Sequence, residues 1–151
     1  MSLTCTRRLQ FCAGHRVMGH ENKCAHMHGH NYVVYITAEA AGSNREVDTI
    51  GRVVDFSVLK KVYNTWIQEQ FDHGFILHQD DSYAQYALTL FSEKSGVNQK
   101  VYTMLDNPTA ENLASLLLTY DHFVQALAPY HVRVVKVVVQ ETENCQAEAS
   151  L

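Results

Sequence analysis

No run of apolar residues in this sequence approaches the roughly 20 that a bilayer-spanning helix needs, so no membrane-crossing segment is expected. Charge is also sparse: charged residues are 19% of the chain and the formal net charge is -4. No global field therefore favours nucleic acid or an anionic membrane as a partner. The first residues, Met1-Ser2-Leu3-Thr4-Cys5-Thr6-Arg7-Arg8, lack the apolar stretch of a signal peptide, and a cytoplasmic location is the default expectation. Internal repeats and low-complexity tracts are missing too. What is present is a hydrophobic share of 46%, which fits a soluble globular protein. A length of 151 residues suits one domain with its own core, spanning 1–151, and is too short for two comfortable ones. The cysteines Cys5, Cys12, Cys24 and Cys145 are expected as free thiols in a chain without an export signal. Histidine is abundant: 9 residues, five of them crowded between His15 and His30.

Residues 8–15 alternate, with Leu9, Phe11, Ala13 and His15 on one face, and predict a strand. A polar loop follows, and then residues 28–41, where Tyr32-Val33-Val34-Tyr35-Ile36-Thr37 is strongly β-forming. Gly42-Ser43-Asn44 predicts a turn. Asp55 can cap a helix whose stripe is Phe56, Leu59, Val62, Tyr63, Trp66, Ile67 and Phe71. A second helix opens at Asn107-Pro108-Thr109, carries Leu113, Leu116, Leu117, Tyr120, Phe123 (or Val124) and Leu127, and closes at Pro129. Residues 132–139 form a valine-rich strand covered on both sides, and a short strand is expected around 146–149. The order β-β-α-α-β-β is an α+β layout with two helices on one face of an antiparallel sheet. The stretch between the helices is long for a loop, with room for a short helix at 83–91 and a short strand at 101–105.

The chemistry concentrates in Cys24-Ala25-His26-Met27-His28-Gly29-His30-Asn31-Tyr32. Histidines at i and i+2 diverge on a helix but share a face on a strand. A hairpin would set His15 opposite His28 and His30. Three converging imidazoles leave a fourth tetrahedral position open, the pattern of a catalytic zinc rather than a closed structural site. His20 and His26 read as loop histidines, although either could replace one of the three. Cys24 sits in a polar loop beside Lys23 and a metal, surroundings that lower a thiol pKa. It reads as a proton acceptor, whereas as a fourth ligand it would close the site. Phe71-Asp72-His73 offers a carboxylate–imidazole pair for acid/base work, or simply a surface pair at a helix end.

These pieces together resemble the 6-pyruvoyltetrahydropterin synthase/6-carboxytetrahydropterin synthase family. The matching stretches are Phe11-Cys12-Ala13-Gly14-His15-Arg16, Cys24-x-x-x-His28-Gly29-His30-Asn31-Tyr32, Val54-Asp55-Phe56, Phe71-Asp72-His73, Asn107-Pro108-Thr109-Ala110-Glu111-Asn112 and Glu141-Thr142, in family order. The resemblance implies the tunnelling fold, a four-stranded antiparallel sheet with two helices on one face. It also implies a homohexamer built as a dimer of trimers, with active sites at subunit interfaces. His15, His28 and His30 match the Zn²⁺ ligands, Cys24 the catalytic cysteine, and Asp72 and His73 the proton relay. Glu141 matches the acid that grips the pterin ring; Thr109 and Glu111 match further substrate-pocket positions.

The implied substrate is dihydroneopterin triphosphate, with zinc as Lewis acid and Cys24 thiolate as the base. The Cys-x3-His-Gly-His spacing looks like the 6-carboxy enzymes of the queuosine pathway, because the 6-pyruvoyl enzymes carry a longer gap. The alternatives are a 6-pyruvoyl synthase and a non-catalytic zinc- or pterin-binding homologue. Against the family pattern, Cys12 stands where Ser is common, an insertion occupies about 79–106, and the aromatic-Gly ending is missing. The insertion is expected to reshape the pocket mouth. Arg16 and Lys23, with the metal, are candidates for the positive patch that a triphosphate needs.

Overall fold

The computed structural model describes residues 1–42 and 46–151. The turn expected at Gly42-Ser43-Asn44 includes Ser43 and Asn44, which lie outside the described residues. Strands β1 (Thr4–His15) and β2 (His28–Ala40) form a long antiparallel hairpin in which Thr4 faces Glu39 and His15 faces His28. Leu9, Phe11 and Ala13 alternate inward as the sequence pattern requires, with Leu9 opposite the buried Val34 and Phe11 opposite the buried Tyr32. Strand β5 (Val132–Thr142) adds antiparallel to β2, with a bulge at Thr37/Ala38, and β6 (Cys145–Ser150) adds antiparallel to β5.

These four strands are the antiparallel sheet expected from the sequence, and two short strands extend it. Strand β3 (Gly74–His78) pairs parallel with the end of β1, and β4 (Val101–Met104) pairs parallel with β3. The sheet is therefore six-stranded and mixed, in the order β4-β3-β1-β2-β5-β6. The first helix runs as α1 (Phe56–Leu59), a π-helical stretch at Lys60–Asn64, and α2 (Thr65–Gln70). Asp55 caps it by accepting from the Ser57 N–H at 2.8 Å. Phe56 is the exception in the stripe, turned to solvent at the helix start. Leu59, Tyr63, Trp66 and Ile67 pack onto the sheet as expected.

Between β3 and β4 lies α3 (Ser82–Ser95), ended by Gly96 in the left-handed region at φ 74°. Both elements expected in this stretch are present, with α3 longer than foreseen. The second long helix breaks in two, α4 (Ala110–Thr119) and α5 (Asp121–Leu127), because Tyr120 turns extended at ψ 121°. That break turns Phe123 inward to stack on Tyr63 at 4.2 Å and leaves Val124 outside. In β5, Val137, Val138 and Val139 are buried in succession, so this part is covered on both faces, while Arg133 is exposed.

Leu117 on α4 is fully buried and its carbonyl accepts from the Tyr63 hydroxyl at 3.1 Å, tying the two helices together. Leu117→Ala is expected to lower unfolding stability by about 3 kcal/mol. The shift in the urea midpoint measures it. No helix of the described residues is long and apolar enough to cross a membrane.

Candidate active site

The hairpin register puts His15 and His28 directly opposite one another, and the period of two puts His30 on the same face. The three rings form a near-equilateral cluster, with centroids 4.5 Å (His15–His28), 5.0 Å (His15–His30) and 4.9 Å (His28–His30) apart. Their orientation is set from outside the cluster. The His15 Nδ1–H donates to the Pro108 carbonyl at 2.7 Å, and the His28 Nδ1–H donates to the His26 carbonyl at 2.6 Å. Both Nε2 atoms are thereby left as bare acceptors, only 3.0 Å apart. The His30 Nε2 is buried without a hydrogen-bond partner among the described residues.

Three lone pairs aimed at one point repel unless a cation lies between them. The donor atoms lie within 4.8 Å of one another. A tetrahedral ion with bonds of about 2.0–2.1 Å holds neighbouring nitrogens about 3.4 Å apart, so small adjustments suffice. Burial lowers His15 to about 4, outweighing the upward pull of the Pro108 carbonyl, and the neighbouring imidazoles lower it further. Burial, then His28, lowers His30 in the same sense. Neutral imidazoles at physiological pH need lose no proton to bind a metal. His15, His28 and His30 are the one such group among the described residues. His26 points to solvent and His20 Nδ1 accepts from the Asn22 N–H at 2.9 Å, so neither joins it.

Beside the triad opens a cavity of about 280 Å³, lined by His15, Cys24, Thr109, Glu111, Glu141 and Cys145 among others. Five site residues named from sequence thus meet there, from the end of β1, the β1–β2 loop, the start of α4 and the end of β5. The Glu141 carboxylate faces the triad, 4.0 Å from His15 Nε2 and 3.8 Å from His30 Nε2. Burial raises its pKa, the neighbouring Glu111 raises it further, and His28 pulls the other way. Thr109 spends its hydroxyl capping α4, accepting from the Asn112 N–H at 3.2 Å.

Asp72 and His73 stand elsewhere in the chain. The Asp72 carboxylate accepts from the Cys12 N–H at 2.9 Å and from His73 Nδ1–H at 2.6 Å. Burial opposes its ionisation, but those two bonds together with the charges of His73 and Lys100 hold it below the usual carboxylate range. His73 takes a left-handed φ of 57° and is 82% exposed. It borders a separate opening of about 510 Å³ that includes His28 and His30 but not Cys24. Within one chain the triad is flanked by two openings, with Cys24 at one and His73 at the other.

Arg16 is not free to meet a phosphate. Its Nε and one Nη donate to the two oxygens of Asp81, the latter at 3.1 Å, and its other Nη donates to the Ala25 carbonyl at 3.0 Å. Lys23 remains exposed, with no ion pair among the described residues. Two residues of the matching stretches, Asn107 and Tyr32, support the site in roles that were not expected from sequence. Asn107 accepts from the Met18 N–H at 2.8 Å and donates to the Met18 carbonyl at 2.9 Å, clamping the loop. Tyr32 lies fully buried beside the imidazoles, its hydroxyl without a partner among the described residues and its pKa raised by burial and then by Glu141 and Cys24. Its position two residues after His30, on the same strand face, was the available signal.

Three kinds of comparison bear on this arrangement. The family model described as "PTPS: 6-pyruvoyl tetrahydropterin synthase" matches residues 4–150. A 6-carboxy-5,6,7,8-tetrahydropterin synthase of Rickettsia bellii is 41% identical over 146 residues, covering 97% of this chain and 99% of the relative. The enzyme so named from Aquifex aeolicus is 33% identical, covering 95% and 94%. Among solved structures, an uncharacterized protein from Wolinella succinogenes aligns with a TM-score of 0.77 at 24% identity, covering 98% and 97%. The 6-pyruvoyl tetrahydropterin synthase of Caenorhabditis elegans aligns with a TM-score of 0.61 at 22% identity, covering 99% and 95%. These last two likenesses show a common fold.

Proposed function

Because this chain belongs to the 6-pyruvoyl tetrahydropterin synthase family, matched over residues 4–150, we propose that it is a 6-carboxy-5,6,7,8-tetrahydropterin synthase. In this lyase reaction dihydroneopterin triphosphate and water give 6-carboxytetrahydropterin, acetaldehyde and triphosphate. The carrying observation is that Cys24 and Glu141 line one cavity together with His15, a member of the three-imidazole group. Identity of 41% to a relative of that name over nearly the whole of both chains supports the 6-carboxy branch. So does the Cys24-x3-His28-Gly29-His30 spacing.

His15, His28 and His30 would hold Zn²⁺, the ion best suited to three neutral imidazoles with an open fourth position. When bound, it supplies Lewis acidity toward the side-chain hydroxyls of the substrate. Glu141 anchors the pterin by accepting from its 2-amino group and N3–H, and Thr109 and Glu111 complete that pocket. Cys24, as thiolate, takes the proton from the activated side-chain carbon. The His73–Asp72 pair returns or relays a proton, Asp72 fixing the ring by its bond to Nδ1 so that Nε2 faces outward.

Since His73 borders a different opening from Cys24 and faces solvent, a neighbouring subunit would bring its His73 to this chain's Cys24. A homohexamer of two stacked trimers, acting in the cytoplasm and built from one domain of residues 1–151, is the assembly proposed.

Acetaldehyde release from dihydroneopterin triphosphate, followed through an aldehyde-reducing coupling enzyme, tests the branch. Acetaldehyde in step with triphosphate supports it; triphosphate alone points to the 6-pyruvoyl product. Glu141→Gln keeps the shape but loses a charged acceptor for two donors, and KM is expected to rise by about 10-fold or more. Initial rates across substrate concentration measure it.

A further inference from the structure

The loop that carries Cys24 has little apolar anchorage. Its single 3-10 turn, Lys23–Ala25, buries no residue and has no side-chain cap. Polar bonds hold it instead: Asn107 clamps Met18 near its start, the Val17 N–H donates to the Cys24 carbonyl at 2.8 Å, and the Arg16 guanidinium donates to the Ala25 carbonyl at 3.0 Å. Arg16 is itself aimed by Asp81, which is 1% exposed and grips the guanidinium with both oxygens. A carboxylate buried this deeply is costly unless paired, so the pair and the loop position stand or fall together. Asp81 also accepts from the Ala84 N–H at 3.3 Å, anchoring it to the start of α3.

A second bond set from the same stretch reaches the other half of the relay. Lys100 donates from Nζ to the carbonyls of Gln68 at 2.8 Å and Asp72 at 2.7 Å, two groups that the end of α2 leaves without helical partners. Its backbone carbonyl accepts from the Phe75 N–H at 3.0 Å. Its stem lies so close over Gly74 that a Cβ there would stand 3.0 Å from Lys100 Cγ and Cδ. The left-handed backbone of His73 is thus held between Lys100 and the Cys12 carbonyl, which accepts from the His73 N–H at 2.7 Å.

We propose that residues 79–106 form a brace for both halves of the proton relay: Asp81 positions the Cys24 loop through Arg16, and Lys100 positions the Asp72–His73 turn. Asp81, Arg16 and Lys100 are positioning residues that act through others. The inference rests on the roles given above to Cys24 and His73, but its first test does not depend on turnover.

Hydrogen exchange on the full-length, metal-loaded protein compares Asp81→Asn and Lys100→Met with the unaltered chain. Asparagine keeps a helix-capping oxygen and removes the charge that holds Arg16; methionine keeps the stem over Gly74. In Asp81→Asn the amides of residues 17–26 are expected to exchange about 10-fold faster, with α3 and α4 unchanged. In Lys100→Met the faster stretch is 72–75. Arg16→Lys, which keeps a cation on Asp81 but cannot span both partners, reproduces the first effect if Asp81→Asn does not fold. Unchanged exchange in either stretch overturns the brace.

A kinetic arm separates positioning from bulk stability. Each variant is expected to lose about 10-fold in kcat with KM nearly unchanged and metal content retained, and added guanidinium restores part of kcat to Arg16→Ala. A rise in KM with constant kcat contradicts it. Failure of the unaltered protein to turn over the pterin triphosphate would refute the proposed function and leave the exchange result to decide the brace.

Discussion

Cys24→Ala is expected to lose about a thousandfold in kcat while keeping a full complement of metal. General-base catalysis contributes about 10²- to 10⁴-fold, so removing the proposed base is expected to cost within that range. Glu141 is proposed to anchor the ring, where its carboxylate is engaged by two donors. Cys145 borders the Cys24 cavity from β6, but it is exposed at the β5–β6 turn. Retained metal is the informative half of the result. The three-nitrogen group excludes Cys24 among the described residues, so removing the thiol leaves all three candidate ligands in place. If Cys24 were a fourth ligand closing the site, metal would be lost together with turnover. Metal content per subunit by elemental analysis, beside single-turnover rates, separates the two.

His28→Ala is expected to show the complementary pattern: metal affinity falls more than about a hundredfold, and turnover falls with it. Losing an outer-shell partner alone costs about 10- to 100-fold, and His28 is a proposed direct ligand. His28 is the better probe than His15, because His15 is 1% exposed and its removal strands the Pro108 carbonyl inside the fold. His28 sits at the mouth, where its loss releases only the His26 carbonyl toward solvent. Binding to the folded state alone also raises stability by mass action. A chelator should therefore lower the melting temperature of the unaltered protein and leave that of His28→Ala unmoved. Calorimetric scans with and without chelator check this, and an equal response in both proteins contradicts the three-histidine site.

Much of this arrangement was legible in the sequence because it is written at short range. The His28-x-His30 pair on a β-forming run needs only the two-residue strand period, and the hairpin supplies His15. The helix stripes carried Leu59, Tyr63, Ile67, Leu113 and Leu117 into the core as their spacing requires. β3 was not legible: five residues, Gly74-Phe75-Ile76-Leu77-His78, are too few to tell a buried strand from the end of the preceding apolar helix. The break at Tyr120 was hidden by a stripe that continues across it, and only the stacking of Phe123 on Tyr63 resolves it.

The charge partners were the least legible. Arg16 reads as a free cation beside the site, yet Asp81 lies 65 residues away and no local pattern announces the pair. The same distance effect separates Cys24 from His73, two residues that belong to one proposed relay but border different openings in a single chain. Residue type and order pointed to both groups; their placement depends on how β3 and the 79–106 segment join the sheet edge.

The most direct test is mass analysis of the pterin formed from dihydroneopterin triphosphate by zinc-loaded protein, run beside metal-stripped and Cys24→Ala samples. The expected result is 6-carboxytetrahydropterin in the loaded sample alone, restored to the stripped sample by added zinc. A 6-carboxy product of equal yield from the metal-stripped sample, or unchanged substrate in all three, would contradict it.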